Sequence, residues 1–158
     1  MPEYFVIGNK KFFGEEIRKK GEVDLKRLYK ETIPWFSENY YVFTEKNISN
    51  KDTPSGSEQK LEWTAYRKLD SYFKFQIVVE IVVLRWLKKR AEITMRFKGY
   101  VETNYKKRYK GKFGEFMMKV YEDLLIKDKI TKMKGKCWAE TFTLIDRAKS
   151  VLDLIVKQ

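Results

Sequence analysis

The chain has 158 residues, 43% hydrophobic and 16% aromatic, with a formal net charge of +12, which suits one domain, 1–158, able to bury its own core. It has no histidine and a single cysteine, Cys137. That excludes an intramolecular disulfide, imidazole acid–base chemistry, and the usual donor sets for zinc, haem or iron–sulfur groups, so no catalytic residue, metal or cofactor is expected.

The N-terminal stretch MPEYFVIGNKKFFGEE has no basic region followed by an apolar one and a small-residue cleavage site, so a cytoplasmic setting is expected. Tyr4–Ile7, Gly8-Asn9 and Lys10–Phe13 read as a small hairpin with a two-residue turn. Glu15–Lys20 reads as a helical turn ended by Gly21. Asp24 is an N-cap candidate for an amphipathic helix through Leu25, Leu28, Tyr29, Thr32, Trp35 and Phe36, which Pro34 should bend or end.

Tyr40–Lys46 reads as a strand, Asn47–Glu58 as a polar loop, and Gln59–Leu69 as a strand with Leu61, Trp63 and Ala65 on one face. The longest apolar run, Tyr72–Leu87, is the central strand: Phe73, Phe75, Ile77, Val79, Ile81 and Val83 alternate on one face. Lys74, Glu80 and Arg85 interrupt it too often for a membrane-spanning helix. Ala91–Tyr105 alternates next, with Ile93, Met95, Phe97, Gly99 and Val101 inward. A turn at Lys88-Lys89-Arg90 would place Ile81 opposite Phe97, Val83 opposite Met95 and Glu80 opposite Lys98. Before the central strand, a three-residue loop or a bulge keeps the apolar faces matched, where a two-residue turn would mix them.

Lys112–Ile126 is an amphipathic helix with the stripe Phe113, Phe116, Met117, Val120, Tyr121, Leu124 and Leu125. Lys127–Lys136 reads as a linker and Cys137–Val156 as a final helix with Trp138, Phe142, Ile145, Ala148, Leu152 and Ile155 inward. The expected fold is α+β: a four-stranded antiparallel meander, with the small N-terminal hairpin, covered on one face by an N-terminal helix and two C-terminal helices. The other sheet face, around Val78, Val82, Leu84 and Trp86, would need cover from the N-terminal hairpin and helix or from a second subunit.

No Walker A or dinucleotide-binding glycine pattern is present. Glu80, set among Val78, Val82 and Leu84, is a candidate for a raised carboxyl pKa, or else a cross-strand partner of Lys98. Arg85 falls on the inward face beside a turn, either reaching out to solvent or meeting a bound anion. Cys137 reads as a small core residue.

Charge is the strongest functional signal. Residues 85–112 hold 11 Lys/Arg against 2 Asp/Glu, whereas residues 1–84 hold 14 against 13 and residues 113–158 hold 9 against 7. Lys88, Lys89 and Arg90 fall at one end of the fourth strand; Lys106, Lys107, Arg108, Lys110 and Lys112 fall at the other, roughly 45–50 Å away at about 3.3 Å per residue. Arg96, Lys98 and Tyr100 would join them into a stripe, with Tyr105 and Tyr109 interleaved, suited to nucleic acid or a ribonucleoprotein. The alternatives are two solvated ends that block edge pairing, peripheral binding to an anionic membrane surface, or a helix-grip-like small-molecule or lipid cavity lined by Trp63, Phe75, Ile77, Phe97, Trp138 and Phe142.

The stretches Leu69–Phe75, Phe97–Glu102, Tyr105–Tyr109 and Val120–Ile126 resemble those of a group of small archaeal α+β proteins with no assigned activity. The resemblance implies an archaeal, cytosolic domain and supplies no site. Members of that group often carry histidines on the central strand; this chain has none, so no histidine-based role carries over.

Overall fold

The computed structural model describes residues 5–7, 10–54, 56–85, 90–103, 105–106 and 110–153. Among them the chain forms strands β1 (Phe5–Ile7), β2 (Lys10–Glu22), β3 (Val42–Thr53), β4 (Gly56–Lys68), β5 (Phe73–Arg85) and β6 (Arg90–Thr103). The helices are α1 (Leu25–Thr32), α2 (Pro34–Glu38), α3 (Gly111–Val120) and α4 (Lys127–Val151), with a π-helical turn, Tyr121–Leu125, between the last two. The strands make one antiparallel sheet in the order β1-β2-β6-β5-β4-β3.

The alternation of β5 sets the layers. Phe73, Phe75, Ile77, Val79, Ile81 and Val83 are all buried, while Lys74, Gln76, Val78, Glu80, Val82 and Leu84 are half-buried on the other face. Apolar rows run across the sheet: Leu61 faces Ile81, which faces Met95, which faces Ile17, and all four are buried. These rows fix the register, because every strand must deliver its apolar member to the same line. The β5–β6 pairing consequently differs by two residues from the expected one, with Ile81 opposite Met95, Val83 opposite Ile93 and Glu80 opposite Arg96. An even slip leaves the faces unchanged. The turn residues Lys88 and Lys89, Trp86 and the Gly8-Asn9 turn lie outside the described residues.

Of the two expected alternatives for the β4–β5 connection, a three-residue loop or a bulge, the chain takes the loop, since the Leu69 N–H donates to the Phe73 carbonyl at 3.1 Å. Asp70 Oδ1 accepts from the Tyr72 and Phe73 N–H groups, each at 2.7 Å. Burial raises the Asp70 pKa, but those two donors and Lys129 outweigh it and hold the carboxyl below its ordinary 3.8.

The α1–α2 break falls where Pro34 predicts it. Asp24 caps α1 by accepting from the Arg27 N–H at 3.1 Å, and Pro34 opens α2.

Four local expectations are corrected. Glu15–Lys20 is strand, not a helical turn: β2 pairs with β6 from Lys10↔Glu102 to Glu22↔Arg90, and this long-range ladder overrides a weak local helical preference. Gly21, at φ +126°, takes a backbone angle that other residues resist. Asn47–Glu58 is not a loop but the distal part of the β3–β4 hairpin, with a bulge between Asn47 and Ser49 that absorbs the polar sequence at an edge. Lys127–Lys136 is not a linker but the start of α4, its lysines almost all on the exposed side. The N-terminal hairpin does not cover the second sheet face; it widens the sheet.

The covered face packs against α1, α2 and α4; of the two C-terminal helices expected over it only α4 lies there, while α3 packs against the π turn. Trp63, fully buried, contacts the rings of Tyr29, Phe36 and Phe43, with centroids 5.8–6.2 Å apart. Its indole N–H donates to Glu45 at 2.7 Å, so the ring is buried without an orphaned donor. A polar clasp joins α4 to the opposite elements: Glu140 accepts from Arg67 at 2.5 Å and from the Tyr41 hydroxyl at 2.6 Å, and Trp35 donates to Thr143 at 3.2 Å. Burial first, then the Glu140 hydrogen bond, raises the Tyr41 pKa.

Phe75→Ala, which empties a fully buried site, is expected to cost about 3–5 kcal/mol in urea unfolding. Because the Asp70 carboxyl titrates lower when folded, its contribution is complete above pH 3.8 and is lost as pH falls through the folded value. The stability gap between wild type and Asp70→Asn should therefore be widest above about pH 4 and close on acidification. Cys137 is fully buried and burial pushes its thiol up to about 12; a thiol reagent at pH 8 should label it only after unfolding.

Candidate anionic-partner interface

Of the basic residues singled out from the sequence, Lys88, Lys89, Lys107 and Arg108, with Tyr109, lie outside the described residues. Arg90 is exposed at the start of β6, and Lys106 and Lys110 are exposed beyond its far end. Between them the sheet face is of mixed charge. Arg96 donates to Glu16 on β2 at 3.1 Å and lies 3.7 Å from Glu80 on β5; Lys98 donates to the same Glu80 at 2.8 Å. The Arg96 hydrogen bond, with Arg18 beside it, holds the Glu16 carboxyl below its usual range despite some desolvation. Glu80 therefore sits as the cross-strand partner of two cations. Glu62, Glu92 and Glu102 add further negative charge to the same face. Tyr100 is half-buried there; desolvation raises its pKa, Lys98 works against that, and Glu80 and Glu62 reinforce it.

The exposed positive charge gathers instead on the C-terminal helical arm. Residues 106–136 carry eleven Lys/Arg and four Asp/Glu, and one of those acids, Glu122, is buried. Lys106, Lys110, Lys112, Lys119, Lys127 and Lys132 are all exposed. Gly111, at φ +72°, starts α3 with a backbone turn that glycine accommodates.

The orientation of α3 is the feature that the periodicity alone does not supply. Its seated face runs through Gly114, Met118, Tyr121 and Glu122. Four residues of the apolar stripe expected to face inward are turned outward: Phe113 is 77% exposed, Phe116 61%, Met117 38% and Leu124 76%; Val120 and Tyr121 are half-buried, and the Leu125 side chain lies outside the described residues. A buried polar anchor holds this rotation. Glu122 Oε1 accepts from the Tyr72 hydroxyl at 2.9 Å and from the Thr103 hydroxyl. The π turn, closed by the Ile126 N–H donating to the Tyr121 carbonyl at 3.1 Å, carries Glu122 on its inner side. Tyr105, proposed from sequence as a stacking residue, donates its hydroxyl to the Asp70 carbonyl, and Lys129 pairs with Asp70 at 3.5 Å.

The side chains considered for an internal cavity divide into two groups. Trp63, Phe75, Ile77 and Phe97 are fully buried in the core, whereas Trp138 and Phe142 are half-buried on α4 with ring centroids 5.8 Å apart. Among the described residues no cluster of His, Cys, Asp and Glu is arranged to hold a metal ion, and no helix is long and apolar enough to cross a membrane. No protein-family model and no curated protein matches this chain, so the geometry alone carries the functional reading.

Proposed function

We propose that the protein is a non-enzymatic basic binding module whose working surface is α3 with its flanking lysines, and that its partner is an anionic membrane surface. The observation that carries this reading is the outward stripe of Phe113, Phe116, Met117 and Leu124 beside exposed Lys112, Lys119 and Lys127. Large apolar side chains held in water are costly and mark an interaction surface. Aromatic and aliphatic residues beside lysines match the boundary between acyl chains and acidic headgroups, where the rings bury shallowly and the ammonium groups stay in the wet layer. The lysines also disfavour a second copy of the same face, because like charges would meet. The sheet face, with Arg96 and Lys98 tied to glutamates, offers less free positive charge to a phosphate backbone.

The test is co-sedimentation with vesicles of phosphatidylcholine alone or mixed with phosphatidylglycerol. Binding is expected only to the acidic vesicles and should weaken with salt. Lys112→Gln/Lys119→Gln should lower the partition coefficient roughly tenfold to thirtyfold, at about 1 kcal/mol per charge. Phe113→Asp/Phe116→Asp should abolish it while the circular dichroism spectrum is retained. Sedimentation of that last variant equal to wild type, or retention of RNA in place of vesicles, would overturn the reading.

A further inference from the structure

A cleft of about 620 Å³ opens at the end of the sheet remote from the Asp70 loop, bounded by the ends of β2, β5 and β6, the start of α1 and the end of α4. Its volume lies within the range of small-molecule sites, roughly 300–1,000 Å³. Val23, Leu25, Val151 and Leu152 supply apolar wall. Lys26, Arg27, Arg85 and Arg90 supply cationic groups, and Glu22, Asp24 and Asp153 carboxylates.

Several of these charges are already committed. Asp24 caps α1 and Arg27 pairs with Glu31 at 3.3 Å. Lys26, Arg85 and Arg90 make no ion pair among the described residues. Of the three, Arg85 occupies the inward-facing position that follows Val83 on β5, opposite Ala91, and its side chain is exposed at the strand end, on the cleft. An arginine at the end of the apolar side of a sheet, beside apolar walls, is suited to a carboxylate or phosphate headgroup whose body lies against those walls. Glu22 and Asp153 make the lining a poor host for several negative charges together.

We infer that this cleft binds a small amphiphilic anion carrying a single headgroup charge, held at Arg85 with its apolar body against Val23, Leu25, Val151 and Leu152. The site is independent of the α3 surface, which belongs to a different end of the molecule.

Dodecanoate, titrated below its micellar concentration and followed calorimetrically, tests this. The protein used carries Phe113→Asp/Phe116→Asp, so that association with α3 does not contribute. Saturable one-to-one binding is expected, with dodecanol and dodecyltrimethylammonium of the same tail length at least tenfold weaker. Arg85→Gln should weaken dodecanoate roughly tenfold or more, while Arg18→Gln, exposed on the outer sheet face and paired with Glu16, should not change it. Arg85→Lys, which keeps the charge and loses the fork, should fall between. Equal binding by Arg85→Gln, equal binding of the cationic amphiphile, or no saturable binding below millimolar concentration would overturn the inference, whatever the vesicle experiment shows.

Discussion

The structure depends on one sheet face being dry and the other wet. Every second residue of β5 is buried, and the intervening positions carry Lys74, Gln76 and Glu80 among valines and a leucine. Burying a large aliphatic or aromatic side chain stabilises by roughly 1.5–3 kcal/mol, so the dry face selects a single register for β4, β5, β6 and β2 and requires helices above it. α4 meets that requirement by lying over β6 and β2 and against α1. The wet face is closed by ion pairs in place of a second layer: Glu16, Arg96, Glu80 and Lys98 span three neighbouring strands. Such exposed pairs contribute little to stability individually. Their effect is to keep half-buried Val78 and Val82 flanked by charge, so that the face does not offer a clean apolar plane to another sheet.

The arm beyond β6 follows another rule. A carboxylate is costly to bury unless its oxygens accept hydrogen bonds, and Glu122 meets this with the hydroxyls of Tyr72 and Thr103. That polar seat fixes which side of the helix faces the domain, and in doing so it turns Phe113, Phe116 and Leu124 to the outside. A seat one residue along the helix would turn it by about 100° and change which side chains face water.

Much of the fold was legible in the sequence for stated physical reasons. Period-two alternation identified β4, β5 and β6 and their buried faces; Asp24 and Pro34 marked the start and break of the first helical segment; face matching ruled out a two-residue turn before β5, leaving a three-residue loop or a bulge. The misreadings in the sheet share a cause in long-range partners. Glu15–Lys20 has no strong strand pattern of its own and becomes strand because β6, some eighty positions later, offers it an edge. The polar 47–58 stretch becomes a hairpin because β4 is already anchored on β5. The two-residue difference in β5–β6 register reflects rows set across four strands, which a single hairpin does not contain. At the candidate interface, the lysines could be counted from sequence, but their availability could not: Arg96 is engaged by Glu16, a residue whose place beside it exists only in the folded sheet. The buried Glu122 seat gave no periodic signal at all.

The pairing of β2 with β6 has a consequence for how the chain comes together. The two partners are joined by both short helices and three intervening strands, so closing that ladder carries the entropy cost of a long loop unless the β3–β6 meander has formed first. Hairpins β3–β4, β4–β5 and β5–β6 are local and close cheaply. During synthesis from the N-terminus, β2 has only the short β1 beside its first residues until β6 has been made, with Ile17 still in water. The last long strand acts as the latch for an early one, and a chain stalled or truncated before Arg90 would expose both β5 and β2 as open edges at once.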